Sequence, residues 1–586
     1  MKRIMTLMLI LMMSLNMYAP AYAKENDQQI ENKRLSVKQL HEDFEHLTKT
    51  LEEVHPNLYA SYGKNKLESQ RLNIKKQLSQ PMTILEYYTL IAPFISLVQD
   101  GHTSIVRPKA LINQAIEDSK VFPLVTEIRD NKMYVIGCLE NHIILPLGAE
   151  ITAIEDIHVK EIITTLKKYV VGTRDAYREG QLEEALYDLL WLHYHVEDTF
   201  HVTYKWKGKV NHKKITGVSK DMVDRYFKSK FNDQKTYTYR ILNNDICYLD
   251  INRFKEPYAF EGFLKDMFQT MKDKHIDNLI VDIRDNPGGV DRLGTELISH
   301  LYDKPFSQVS RVDIKVSEQT NSAYGKIGDI LSQKPKMVFN QHLSNTFDGR
   351  LCLLTNRNSF SAASMFASAI KDYHLGIVIG EETGGLATQY GNIYFFNLPH
   401  SQLKVCVSSK YIVRPNGEET KRGVQPHYQV TQSVKDRINH QDTVLAFAKD
   451  YLYHEYDKEY NQLGYNVGEA FTYIKLDHSD YQTSIEAIYT MYDTYQYDLI
   501  YDMLSDDNQK IIPKDMMKAF IDERNKELSQ FGGYQKITLS EGWGIKEDET
   551  LIRYAFKGYL VYEKKTIPFE ILLDETKRIE SDKIDI

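Results

Sequence analysis

Three serines, Ser359, Ser361 and Ser364, crowd the opening turn of the stretch RNSFSAASMFASAIKDYHLGIVIGEETGG, residues 357–385. The apolar run Leu351–Leu354 before them reads as a strand. The spacing of Phe366, Ile370 and Tyr373, with Met365 and Ala369 beside them, predicts a helix that starts at about Ser361. At a helix N-terminus the unpaired N–H groups and the positive dipole end favour developing negative charge. A serine at such a strand-to-helix turn is placed to act as a nucleophile. Taken alone, the same serines are equally suited to capping the helix.

A second stretch narrows the chemistry. NLIVDIRDNPGGVDRL is a buried strand that ends in Asp-x-Arg-x-Asn-x-Gly-Gly, with Asp282, Arg284, Asn286, Gly288 and Gly289 at the fixed places. Glycines after such a strand let the backbone turn sharply and aim N–H groups at a ligand. The spacing is not the Gly-x-Gly-x-x-Gly of a dinucleotide site. With SFSAASMFASAIKDY about 70 residues on, and GEETGG after it, the combination resembles the C-terminal processing (tail-specific) serine peptidases, a family that includes the tricorn protease core. The resemblance runs from about Ser36 to Val430.

It implies an α/β core of the ClpP/crotonase type and assigns the nucleophile to Ser361. Phe366 and Asp372 match the family pattern further along the helix, with Asp372 as a supporting position. The oxyanion hole would use the Ala362 N–H and one from Gly288 or Gly289. The chain departs from the family at the base. Tail-specific proteases carry a lysine after the following strand, where this chain has Leu386, and neither Lys371 nor Lys410 matches that place. The tricorn branch uses histidine instead, which points to His102 in QDGHTSIV. An imidazole that is mostly neutral outside the cell can accept the serine proton and later return it. Its partner carboxylate is expected in RPNGEETKRGVQPHYQV, as Glu419 or, one residue earlier, Glu418. Asp100 is the weaker alternative, suited to serving its own turn.

Several elements must position these groups. Val37, Leu40, Phe44, Leu47, Leu51 and Val54 mark one helix face, opened by a Ser36/Gln39 capping box and closed before Pro56. A second helix opens at Thr83/Glu86, carries Pro93 as an expected kink and stops at Asp100-Gly101. Residues 24–119 form this helical segment. Residues 120–240 alternate strand and helix and resemble the second half of a PDZ domain, the alternative being a structural β insertion. The peptidase core is expected over 241–440, where ICYLDINRF, NLIVDIRDN, RLCLLTN and LGIVIGEE are apolar strands separated by helices. A tyrosine-rich stretch beginning at Lys449 reads as a linker or connecting helix. Over 455–586, helices precede strand-like runs, an α+β pattern that resembles NTF2-like or cystatin-like accessory domains.

At 586 residues the chain is too long for one core. A net charge of −8 without a basic stripe argues against nucleic acid as a partner. Cys138, Cys247, Cys352 and Cys406 lie in apolar runs without ligand spacing and are expected as buried thiols. Lys2-Arg3, the apolar stretch from Ile4 to Met13 and Ala21-Tyr22-Ala23 predict a cleavable secretory leader over 1–23. The mature protein is then expected to be secreted or in the cell envelope, without membrane attachment. Together these features predict a secreted serine peptidase that acts on peptides or proteins, recognised by the C-terminus in the manner of the family. No metal or organic cofactor is implied, and the oligomeric state is left open. The competing expectation, raised by Leu386, is an inactive peptide-binding protein on the same scaffold. An exported carbohydrate or lipid hydrolase using the same serine is a third.

Overall fold

The computed structural model describes residues 34–584, except 141–142, 232–234, 321–324, 336, 339–345, 454–471, 477 and 548–549. The expected leader, residues 1–23, lies outside them. The chain divides into two units, one of Asp27–Val467 and one that includes Gly468–Ile586.

Helix α1 (Val37–Val54) opens with the Ser36/Gln39 capping box and buries Leu40, Phe44, Leu47, Leu51 and Val54. It ends where Pro56 crowds the preceding residue out of the helical region, leaving His55 extended at φ −69° and ψ 127°. Helix α2 (Ile84–Ser96) has the Thr83/Glu86 capping box and continues through Pro93. Next comes an antiparallel sheet of β1 (Leu124–Arg129), β2 (Lys132–Cys138), β3 (Glu150–Ile154), β4 (Thr199–Trp206) and β5 (Lys209–Thr216). Its spatial order is β5-β4-β3-β2-β1. The long helix α3 (Asp175–Tyr194) packs on β1. Buried side chains of α1, α2, α3 and this sheet form one continuous apolar core with Leu398, Leu403, Val405 and Val407. The helical segment and the β-rich region are therefore fused, and both are anchored to the elements that follow.

The second sheet contains β6 (Tyr237–Leu242), β7 (Ile246–Ile251), β8 (Asn278–Asp282), β9 (Arg350–Thr355), β10 (Ile377–Gly380) and the short strand Tyr428–Gln429, in that order. From β7 onward all neighbours are parallel. Helix α4 (Pro257–Asp273) connects β7 to β8, and α5 (Ala362–Asp372) connects β9 to β10. The four apolar runs read from the sequence are the four central strands, which are nearly all apolar because both faces are covered. Strands β11 (Gln389–Asn397) and β12 (Lys404–Val413) form a hairpin outside this sheet. The core extends past residue 440: α6 (Thr443–Tyr453) buries Val444, Ala448, Tyr451 and Leu452 against Ile280, Cys352 and Leu354. The stretch beginning at Lys449, expected as a linker or connecting helix, is helical as far as Tyr453, and its remainder to residue 471 lies outside the described residues. None of the four cysteines is in a disulfide; Cys247, Cys352 and Cys406 are buried as expected, whereas Cys138 is only half-buried.

In the other unit, strands Thr472–Lys475, Tyr534–Glu547, Thr550–Tyr562, Thr566–Asp574 and Ile579–Ile584 form one antiparallel sheet. Helices Gln482–Asp493, Tyr497–Asp502 and Lys514–Leu528 precede its four long strands. The first two of these helices are separated by a turn at Tyr495, which adopts φ 58°. Among the described residues no helix is long and apolar enough to cross a membrane.

Candidate active site

Strand β9 ends at Thr355, and the chain turns into α5 at Ser361, whose backbone is held at φ 55° and ψ −122°. A side chain at positive φ is strained, and such strain is stored where geometry matters to function. The Ser361 hydroxyl makes no cap bond to the helix. Its neighbours are used otherwise: Ser359 Oγ donates to the Ile283 carbonyl at 2.8 Å, and Ser364 Oγ to the Ser359 carbonyl at 3.1 Å. Of the three serines, Ser361 alone meets an imidazole, with Oγ 2.9 Å from His102 Nε2. Helix capping therefore does not account for it.

Two pieces of β pairing bring His102 there across 259 positions. After the Asp100-Gly101 turn, Ser104–Ile105 pairs with Val405 and Cys406 of β12. At the start of the partner strand β11, Gln389 donates from Nε2 to the Ser361 carbonyl at 3.0 Å. The β11–β12 hairpin thus ties the histidine turn to the serine turn. Phe360 fills the space between them. Its ring lies 4.6 Å from the His102 ring and stacks on Tyr177 of α3 at 4.5 Å and 7°. A side chain at Gly101 would stand 2.5 Å from Phe360, so only glycine allows this approach.

The carboxylate facing His102 is Asp100, and this corrects the expectation for Glu419. Asp100 Oδ1 accepts the His102 backbone N–H at 3.0 Å and lies 3.7 Å from Nδ1. Oδ2 accepts from Thr103 Oγ1 and Ser408 Oγ, both at 2.6 Å, and His55 Nε2 lies 3.4 Å away. Burial alone would push the Asp100 carboxyl up, but donors from His102 and His55 outweigh it and hold it well below the usual carboxylate range. Glu419 instead pairs with Arg311 at 2.8 Å, and Glu418 with Arg414 at 2.8 Å. Both glutamates are drawn to the nearest guanidinium. Asp372 also lies away from Ser361, at the other end of α5 and roughly 16 Å of helical rise from it. There it is buried against Arg414 at 2.6 Å and accepts the Asn416 N–H.

The glycine corner is pinned to the serine turn. Phe360 N–H donates to the Asn286 carbonyl at 2.9 Å. The Asp285 carboxylate accepts from the Asn356 and Asn358 amides at 3.0 and 2.8 Å. Asp282 and Arg284 form an ion pair at 2.6 Å, and Arg284 also reaches Asp442. Gly288 lies so close that a Cβ there would be 2.8 Å from both Ala362 N and Ser361 Cβ. Its own N–H is already given to Asn286 Oδ1 at 2.8 Å, however. Gly288 is thus a spacer. Among the described residues the N–H groups of Gly289 and Ala362 have no protein acceptor, which leaves both able to receive negative charge.

Leu386 lines the same narrow cavity as His102, Phe360 and Gln389. The family's lysine position is therefore beside the imidazole, but apolar. Lys371 is held by the Gln425 carbonyl at 2.7 Å, and Lys410 is opposite Gly391 in the hairpin. A wider cleft of about 1260 Å³ opens at the carboxyl ends of the parallel strands and borders the site through Pro287 and Asn358. Sequence reasoning did not find His55, Gln389 or Ser408. Their only local signals are a helix-ending His-Pro and two positions in an ordinary β hairpin.

An open α/β sheet with a serine on a strained strand-to-helix turn, an imidazole on its hydroxyl and free N–H groups beside it defines the serine hydrolase class of site. Residues 245–430 match the profile of Peptidase family S41, and the relatives this chain resembles include tail-specific and C-terminal processing proteases. A tail-specific protease of Haemophilus influenzae is 26% identical over 235 residues, which cover 39% of this chain and 29% of that protein. A probable CtpA-like serine protease of Staphylococcus epidermidis is 28% identical over 137 residues, 23% and 24% of the two chains. The matches span about a quarter of the length of these relatives. The structure of mature CPAF complexed with lactacystin superposes with a TM-score of 0.54 at 16% identity, covering 73% of this chain and 98% of that one. At that identity the likeness is one of fold.

Proposed function

We propose that the protein is an active serine peptidase in which Ser361 is the nucleophile and His102 the base. The single observation that carries this reading is the 2.9 Å approach of His102 Nε2 to Ser361 Oγ. That distance is within hydrogen-bonding reach, as a proton transfer requires. Ser361 Oγ bonds to the carbonyl carbon of a peptide while its proton passes to Nε2. The oxyanion is received by the Gly289 and Ala362 N–H groups, and Asp100 offsets the charge of the imidazolium. The C–N bond then breaks as His102 returns the proton to the leaving amine. Water, deprotonated by the same imidazole, cleaves the acyl-enzyme.

The cleft at the strand ends receives the peptide, and the names of the relatives favour a substrate taken near its C-terminus. The Lys2-Arg3, Ile4–Met13 and Ala21-Tyr22-Ala23 leader directs the chain out of the cytoplasm. The test is labelling by a fluorophosphonate together with turnover of a peptide library. The parent should react at one serine, and Ser361→Ala should lose both signals. Equal labelling of parent and variant would remove Ser361 from the mechanism. Binding without turnover in the parent would favour the inactive peptide-binding alternative.

A further inference from the structure

Behind Asp100, on the side away from Ser361, lies a second imidazole. His55 is 0% exposed and Asp100 4%. The His-Pro end of α1 sets its backbone, and the Tyr390 ring covers it at 4.6 Å. His55 Nδ1 accepts the Asn57 N–H at 3.1 Å. An imidazole that accepts at Nδ1 carries its proton on Nε2 when neutral. That Nε2 has no hydrogen-bond partner in the structure, and Asp100 Oδ2 is 3.4 Å from it. The buried N–H is thus within reach of the carboxylate without bonding to it in this structure, the contact being a few tenths of an ångström long and bent. Such contacts are often long in an unliganded enzyme and tighten when charge develops.

We infer that His55 is a positioning residue for peptide hydrolysis: its Nε2–H closes onto Asp100 Oδ2 when charge develops on His102, and fixes the carboxylate so that Oδ1 faces His102 Nδ1. The order in space is His55, Asp100, His102, Ser361. Thr103 and Ser408 share Oδ2, but each is a hydroxyl that can rotate, whereas the His55 ring is fixed by its bond from Asn57. When His102 takes the serine proton, the Asp100 carboxylate must be ionised and correctly turned, and a rigid donor behind it provides both. This inference rests on the Ser361–His102 reading.

The two imidazole nitrogens can be tested separately. In His55→Asn the side-chain oxygen replaces Nδ1 and can still accept from Asn57, but nothing reaches Asp100. In His55→Gln the amide N–H replaces Nε2 and the bond from Asn57 is lost. A bond to a charged group commonly contributes a factor of about 10 to 100. His55→Asn is therefore expected to lower kcat and the fluorophosphonate labelling rate by about that factor, with KM little changed, while His55→Gln keeps most of the rate. The reverse pattern, with Asn active and Gln impaired, would reduce His55 to a prop for the turn and overturn the inference. So would an unchanged rate in both.

In the unsubstituted protein, 15N-histidine labelling should show His55 protonated at Nε2. The Nδ1–H tautomer would refute the inference even if neither variant folds. Failure of the parent to label at Ser361 would instead refute the underlying reading.

Discussion

Replacing Gly289 by alanine would place a methyl carbon 2.0 Å from the Phe254 carbonyl oxygen and 2.9 Å from its carbon. Ordinary contact begins near 3.4 Å, so one backbone must retreat by about 1.4 Å. The neighbouring bond that crosses here, Val290 N–H to the Phe254 carbonyl at 2.8 Å, would be stretched or broken with it. Residue 289 also sits at φ 138°, where a non-glycine residue costs about 1–3 kcal/mol. The Gly289 N–H, which has no protein acceptor, would move off the position proposed for the developing oxyanion. Loss of one such donor commonly lowers kcat by about 100- to 1,000-fold, or about 3–4 kcal/mol of transition-state stabilisation. Gly289→Ala is therefore expected to lose at least about 100-fold in kcat on a peptide substrate, with KM within about threefold, because the donor acts on charge that is absent from the ground state. Steady-state hydrolysis and the fluorophosphonate labelling rate would be measured on protein shown to be folded by near-UV circular dichroism and thermal unfolding. A folded Gly289→Ala enzyme with kcat within threefold of the parent would refute the assignment of this N–H.

Two further outcomes follow from the same geometry. Asp100→Asn should lower kcat by at least about 100-fold, since an amide facing His102 no longer offsets the imidazolium. Glu419→Gln should stay within about threefold, because that carboxylate serves Arg311. Comparable losses in the two variants, read as kcat, would reinstate Glu419. The second outcome is a stability effect. Burial, with Lys371 and His374 nearby, pushes the His427 imidazole down to about 4, from the ordinary 6.5. Between those two values the unfolded chain binds a proton that the folded chain refuses, so stability falls as pH drops from 6.5 to 4. The His427 share of that loss is ~3 kcal/mol. His427→Asn can keep an acceptor for the Val378 N–H but cannot titrate. Denaturant unfolding across this range should show a shallower acid loss in the variant, and parallel curves would contradict the assignment.

What the sequence determined is local. The capping boxes at Ser36 and Thr83, the helix stop at Pro56, the apolar strands and the glycine corner all depend on neighbours within a few positions, and the structure forms each of them. The placing of Ser361 at the start of α5 was legible for the same reason, because a strand, a small-residue turn and a helical stripe are adjacent in the chain. Its positive φ was not, since no residue type announces it. Which carboxylate meets His102 was decided only in three dimensions. Asp100, Glu418 and Glu419 are all acidic residues in turns near family motifs. The choice among them was made by the pairing of Ser104–Ile105 with β12, by Arg311 and Arg414 taking the two glutamates, and by Ser408 and His55 arriving behind Asp100. A buried charge is stable only where several donors converge on it. That convergence draws on segments up to 308 positions apart, so spacing along the chain carries no trace of it.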